Sequence, residues 1–303
     1  MNKKLRIYIS TLLTSIFLIT PLFSQANFKV KVEMVNILCV ATDRNGRYVT
    51  DLKKEDFEIF EDGVKQKIEK FSARTDMPLL IGLLIDTSAS VVDKLKFEVD
   101  AAVDFLNSVL RPGDFALVTE FDSSVTLVQD FTEDVNQIKQ ELKLLKAGGG
   151  TALFDAIYLI CQEKMRWSSQ DKRKIIVIIS DGDDTVSSTT FEDALKAAQE
   201  SGVVIYAIST NRAGYFGHSG KKEGDTILKD FAINTGGKLF APSLLSDLYK
   251  CFQEINRDLR NQYSISYIST NKKHDGKFRK IKIKVKRRGI KLRYKKGYYA
   301  PAD

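Results

Sequence analysis

The chain has 303 residues, 43% hydrophobic and 28% charged, with only five prolines, which is the composition of a globular protein and excludes a disordered or fibrous one. The net charge of +8 is local: Arg260 to Asp303 holds 15 Lys and Arg against two Asp, so the rest is net acidic and the total gives no sign of a nucleic-acid-binding protein. Cys39, Cys161 and Cys251 are far apart and lie in apolar or amphipathic patterns, which reads as buried free thiols rather than a disulfide framework, and two histidines are too few for a Cys/His metal site.

Lys3, Lys4 and Arg6 precede an apolar stretch from Ile7 to Phe23, and Ser24-Gln25-Ala26 then supplies the small residues of a cleavage site. This reads as a cleaved signal peptide over residues 1–26, the alternative being an uncleaved anchor near the lower limit for spanning a bilayer. No Cys follows the apolar run, against a lipoprotein anchor. The expected location is exported, periplasmic or extracellular.

From Asn27 to about Phe71 the pattern is one of short strands, with turns at Asn45-Gly46 and Asp62-Gly63. From Pro78 it changes. Leu79–Ile85 is an apolar strand. Leu95, Val99, Val103, Leu106 and Leu110 then share a helical face. Phe115–Phe121 and Val125–Val128 read as strands, Val135–Leu145 and Leu153–Met165 as helices. Ile175–Ile179 is a β-branched strand, Phe191–Ser201 a helix and Val203–Ile208 a strand. Ile227–Asn234 and Leu244–Leu259 read as helices around a short strand, Lys238–Ala241. After Gln262 alternation returns, strictest in Lys280 to Lys286.

Strands alternating with helices predict an α/β fold with a doubly wound, mostly parallel sheet over residues 77–260. The β segments 27–76 and 261–303 are each too small to enclose a core. They are expected to pair into one small β-sandwich into which the α/β domain is inserted.

Ligand sites in open α/β sheets form beyond the carboxyl ends of the strands. Asp86 directly follows the apolar run of one strand, and Asp181 that of another. Ser88 and Ser90 follow Asp86, and Thr151 lies in the loop Gly148-Gly149-Gly150-Thr151. Two carboxylates and three hydroxyls at one sheet edge are all-oxygen donors, the set that hard cations such as Mg²⁺ take.

Asp86-x-Ser88-x-Ser90, Thr151 in GGGTALFDAI, and Asp181-Gly182 after an apolar strand resemble the metal-ion-dependent adhesion site of von Willebrand factor type A domains, including integrin I domains. The resemblance covers about Pro78 to Leu259. The flanks also resemble those of a bacterial group of secreted proteins with this domain. The resemblance implies a non-catalytic binding module in which Asp86, Ser88, Ser90, Thr151 and Asp181 hold Mg²⁺, with Mn²⁺ or Ca²⁺ as alternatives. An Asp or Glu carboxylate of a protein partner would fill the open position. Thr151 would move closest as the ligand arrives, on the freedom of Gly148 to Gly150.

Other readings compete. Asp155 reads as a helix-start acid, Asp183 and Asp184 as loop acids, and Asp122, after the strand ending in Phe121, as a further candidate for the same edge. Trp167, His218 and His274 read as surface or packing residues, and Gly214 to Asp225 as an exposed loop. The lysines of KIKIKVK read as the solvent side of an edge strand, with weak contact to an anionic surface as the alternative. Phosphoryl transfer through an aspartyl nucleophile is the enzymatic rival, but Ser88 stands where such sites place a second Asp. The third reading is a structural or binding role carried by the basic sandwich.

Overall fold

The structure, a computed structural model, describes residues 34–73, 77–168, 171–211 and 222–302. The segment expected to be a signal peptide lies outside these residues, as do His218 and most of the expected loop from Gly214. The end of that loop is corrected: Lys222 to Asp225 already belong to a helix.

Period-two alternation builds the first strands. β1 (Met34–Thr42) turns Val35, Ile37, Cys39 and Ala41 inward, and β2 (Phe57–Glu61) turns in Phe57, Ile59 and Glu61. β3 (Val64–Gln66) and β4 (Ile68–Ser72) follow. The β2–β3 turn places Asp62 at φ 47° and Gly63 at φ 86°, the left-handed pair that a tight hairpin demands.

The middle of the chain runs β5 (Leu79–Asp86), α1 (Leu95–Val109), β6 (Phe115–Phe121), β7 (Val125–Thr132), α2 (Val135–Leu142) and α3 (Leu153–Ile160). It continues through β8 (Arg173–Ser180), α4 (Phe191–Glu200), β9 (Val204–Ser209), α5 (Lys222–Thr235), β10 (Leu239–Phe240) and α6 (Leu248–Arg260). Its six-stranded sheet has the order β10-β9-β8-β5-β6-β7, parallel except for β7. α1, α2 and α6 cover one face, and α3, α4 and α5 the other. Every residue of β5 and β8 is therefore buried, which is why Leu79–Ile85 and Ile175–Ile179 read as unbroken apolar runs. Each buried Leu or Ile contributes about 1.5–3 kcal/mol. The stretch expected as one helix to Met165 changes to π geometry over Cys161–Met165.

β11 (Gln262–Ile268), β12 (Phe278–Val285), β13 (Lys291–Tyr294) and β14 (Gly297–Tyr299) complete the fold. They interleave with the N-terminal strands in two four-stranded sheets, β13-β1-β11-β4 and β14-β12-β2-β3. Ile37, Ile59, Tyr263, Tyr267, Ile281 and Ile283 share one core between them. The sandwich with an inserted α/β domain is thus observed. One expectation is corrected: β12 is internal to its sheet, not an edge strand. Lys280, Lys282 and Lys284 are exposed because that sheet buries only one face. All three cysteines are buried and free.

Candidate functional site

The chain leaves β5 for β6 on one side and later returns to β8 on the other side of β5. That is a topological switch point, where two loops part in opposite directions and leave a crevice. Ile85 and Ile179 are register partners there, and Asp86 and Ser180 come one step later. Asp86 is fully buried. Its Oδ2 accepts from Ser180 Oγ at 2.6 Å and its Oδ1 from Ser88 N at 2.9 Å.

The surrounding loops are tied together by their backbones. Thr87 N donates to Phe121 O at 2.9 Å, Gly148 N to Thr87 O at 2.7 Å and Ala89 N to Gly149 O at 3.2 Å. Gly149 has φ 76°, and a Cβ there would stand 2.6 Å from Ser123 Oγ, so the glycine run permits a close approach to the β6–β7 turn. Thr151 is buried; its N donates to Thr185 Oγ1 at 2.8 Å and its O accepts from Thr185 N at 2.9 Å. Asp181 is half-buried, with Oδ1 accepting from Asp183 N at 3.1 Å and its carbonyl from Asn211 Nδ2 at 2.7 Å. Ser88 is buried and Ser90 exposed, their hydroxyl oxygens 3.0 Å apart. The five residues singled out from the sequence therefore stand in three linked loops at one end of the sheet.

Burial pushes the Asp86 carboxyl up to about 6, with hydrogen bonds from Ser180 and Ser88 opposing and the charge of Asp181 adding to the rise. Behind it, on α1, burial and then the charge of Asp86 push Glu98 up to about 8, against the pull of Lys94. Negative charge is concentrated here in a form that a cation would relieve.

The donors fit a small hard cation. Ligands at adjacent corners of an octahedron with bonds near 2.1 Å are about 3 Å apart, a spacing that the Ser88 and Ser90 hydroxyls, hydrogen-bonded to each other at 3.0 Å, already have. Among the described residues no group of three or more His, Cys, Asp or Glu is placed to hold a metal. An ion here would rest on two carboxylates and hydroxyls.

Asp122 does lie at this edge: its carbonyl accepts from Ala152 N at 2.7 Å, while its Oδ1 is taken by Ser124 N at 2.9 Å. Asp184 Oδ1 accepts from Phe154 N at 3.1 Å and Ser187 Oγ at 2.6 Å, at the start of α3. Asp155 holds the following loop through Ser188 N at 3.1 Å and Thr189 N at 2.8 Å. Trp167 and His274 are exposed. Sequence reasoning missed Ser180, Thr185 and Glu98. Glu98 left a trace, since an acid at that position interrupts the buried stripe of Leu95, Val99, Ala102 and Phe105.

The comparison with family models falls on this crevice. Residues 81–183 match the model of the von Willebrand factor type A domain. The fold of the α/β domain is the von Willebrand factor type A fold, and the matched segment contains all five candidate residues. Among solved structures, proximal thread matrix protein 1 from the mussel byssus aligns with a TM-score of 0.51 and 18% identity over 60% of this chain and 48% of that one. An aerotolerance-related membrane protein from Bacteroides fragilis aligns at 0.49 and 16% identity, over 60% of this chain and 98% of its own. BatB from Bacteroides thetaiotaomicron aligns at 0.48 and 17%, over 59% and 98%. No curated protein sequence matches this chain. Among the described residues no helix is long and apolar enough to cross a membrane.

Proposed function

We propose that this protein is an exported, non-catalytic binding module whose type A domain holds Mg²⁺ or a similar divalent ion and uses it to capture a protein partner. Asp86, Ser88, Ser90, Thr151 and Asp181 are the residues that would hold the ion. Bound there, the ion supplies a positive centre for an Asp or Glu carboxylate of the partner. Asp86 and Asp181 together balance its charge, Ser88 and Ser90 present hydroxyls at ligand spacing, and Thr151 approaches from the glycine-rich loop. The observation that carries this reading is the convergence of five oxygen-bearing residues at the switch point, with the two serine hydroxyls 3.0 Å apart. Calorimetric titration of the chain from Asn27 onward with Mg²⁺ and Mn²⁺ tests it. Saturable one-site binding is expected, and Asp86→Ala abolishes it; equal binding by that variant would defeat the assignment.

A second reading rests on the exposed row Lys280, Lys282 and Lys284 on β12. In it the sandwich binds an anionic surface and the crevice is idle. Sedimentation with anionic vesicles separates the two: replacing the three lysines with Gln would abolish capture, and Asp86→Ala would leave it intact.

A further inference from the structure

Glu98 lies on the inner side of α1 and is 0% exposed. Neither of its carboxylate oxygens has a hydrogen-bond partner. A buried acid without partners is costly and calls for an explanation. Lys94, one turn earlier, acts on it through charge only, its ammonium donating to Thr210 O at 3.1 Å. Thr210 Oγ1 is itself buried and without a partner.

The fold places this acid under the crevice. α1 packs on the sheet face that bears Ile85, Ile179 and Ile208. Lys94, at the start of α1, reaches Thr210 O just past the end of β9 at 3.1 Å, so the first turns of α1 stand at the strand ends where Asp86 closes β5 and Asp181 follows β8. The charges that act on Glu98 are those of Asp86, Lys94 and Asp181. It is not one of three acids gathered within reach of a single metal.

We propose that Glu98 is an outer, positioning carboxylate of the cation site: from beneath Asp86 and Asp181 it adds a third negative charge that strengthens cation binding without ligating. The inference rests on the ion-binding reading above. Neither oxygen is engaged by a protein donor, so no hydrogen bond within the protein offsets a charge there, and the groups whose charges act on it include Asp86 and Asp181. The charge is present once the arriving ion has displaced the proton that burial keeps on Glu98; the site then holds the ion more firmly than two carboxylates would, while lowering the pull on an incoming anionic ligand.

The test is titration of the full chain with Mg²⁺ and Mn²⁺ at fixed pH, comparing wild type with Glu98→Gln and Glu98→Asp, beside thermal midpoints of the ion-free proteins. Wild type is expected to bind at one site, Glu98→Gln about tenfold more weakly, and Glu98→Asp closer to wild type. The ion-free midpoint of Glu98→Gln is expected to be unchanged or higher, which separates loss of charge from loss of structure. Should Glu98→Gln fail to fold, Glu98→Met, which needs no partner, takes its place with the same expectation. Wild-type affinity in the charge-removing variant, or equal weakness in both Gln and Asp variants, would overturn the role of Glu98 alone. Absence of ion binding in the wild type would overturn it together with the reading on which it rests.

Discussion

Ser180 Oγ donates to Asp86 Oδ2 at 2.6 Å and accepts from Gly182 N at 3.0 Å, so one hydroxyl joins the buried acid at the end of β5 to the loop that carries Asp181. Ser180→Ala removes both bonds. It leaves Asp86 with Ser88 as its hydrogen-bonding neighbour and orphans a buried amide. The expected cost is about 1–3 kcal/mol of stability, with cation affinity about tenfold lower because Asp86 loses its orienting partner. Denaturant unfolding and calorimetry on the same preparation check both. A variant that loses stability yet binds ions like the wild type would make Ser180 a packing residue only.

The parts of this arrangement that could be read from the sequence are those fixed by local pattern. Leu79–Ile85 of β5 and Ile175–Ile179 of β8 are unbroken apolar runs because both faces of their sheet are covered, so Asp86 and Asp181 mark the loops where each run gives way to polar residues. What escaped depends on contacts distant in sequence. Ser180 looked like the last residue of a strand, and only the pairing of β5 with β8 brings it to Asp86. KIKIKVK looked like an edge because alternation reports one solvent face and says nothing about neighbours; the neighbours, β14 and β2, come from opposite ends of the chain. Glu98 and Asp258 each occupy a buried-stripe position of an amphipathic helix, a signal visible in the helical period. Neither was legible as buried until the facing surface was known.

The Glu98 carboxyl is raised from its ordinary 4.5 to about 8, first by burial. Between those values the folded chain binds a proton that the unfolded chain releases. The stabilisation is therefore complete below about pH 4.5 and is lost as pH rises towards about 8, at no more than about 1.4 kcal/mol per pH unit. Thermal midpoints in EDTA from about pH 5 to about pH 9 should fall more steeply for the wild type than for Glu98→Gln. Parallel curves would show that Glu98 does not titrate in this window.

Glu61 sits at the end of β2, 2% exposed, and accepts from Tyr267 Oη at 2.7 Å, Ser269 Oγ at 2.5 Å and Tyr298 Oη at 3.0 Å. Tyr267 belongs to the opposite sheet, so this acid ties the two layers of the sandwich through its core. Burial and the Glu61 carboxylate both hold the Tyr267 phenol in its protonated, donating form. Tyr267→Phe should cost about 1.5–3 kcal/mol, the range for a bond to a charged acceptor. Tyr298→Phe should cost less, since its bond is longer and only partly buried. Urea unfolding ranks the two, and the reverse order would mean that ring packing, not the hydroxyl, sets the cost.

Arg293 of β13 pairs with Asp258 near the end of α6, and Tyr48 Oη donates to the other oxygen of that acid at 2.7 Å. The Asp258 side chain is 4% exposed and that of Arg293 23%, so the pair is largely withdrawn from water at the junction of sandwich and α/β domain. Arg293→Met strands a buried carboxylate with one neutral donor, and the expected loss is about 3–5 kcal/mol. Removing the acid as well, in Arg293→Met with Asp258→Leu, should restore most of it, because the desolvation cost disappears along with the attraction. The double-mutant cycle measures that coupling by denaturant unfolding. If the double variant is no more stable than Arg293→Met, the guanidinium acts by covering the Tyr206 ring, whose centroid lies 5.8 Å away, and the charge pair is incidental to how the two parts of the chain are joined.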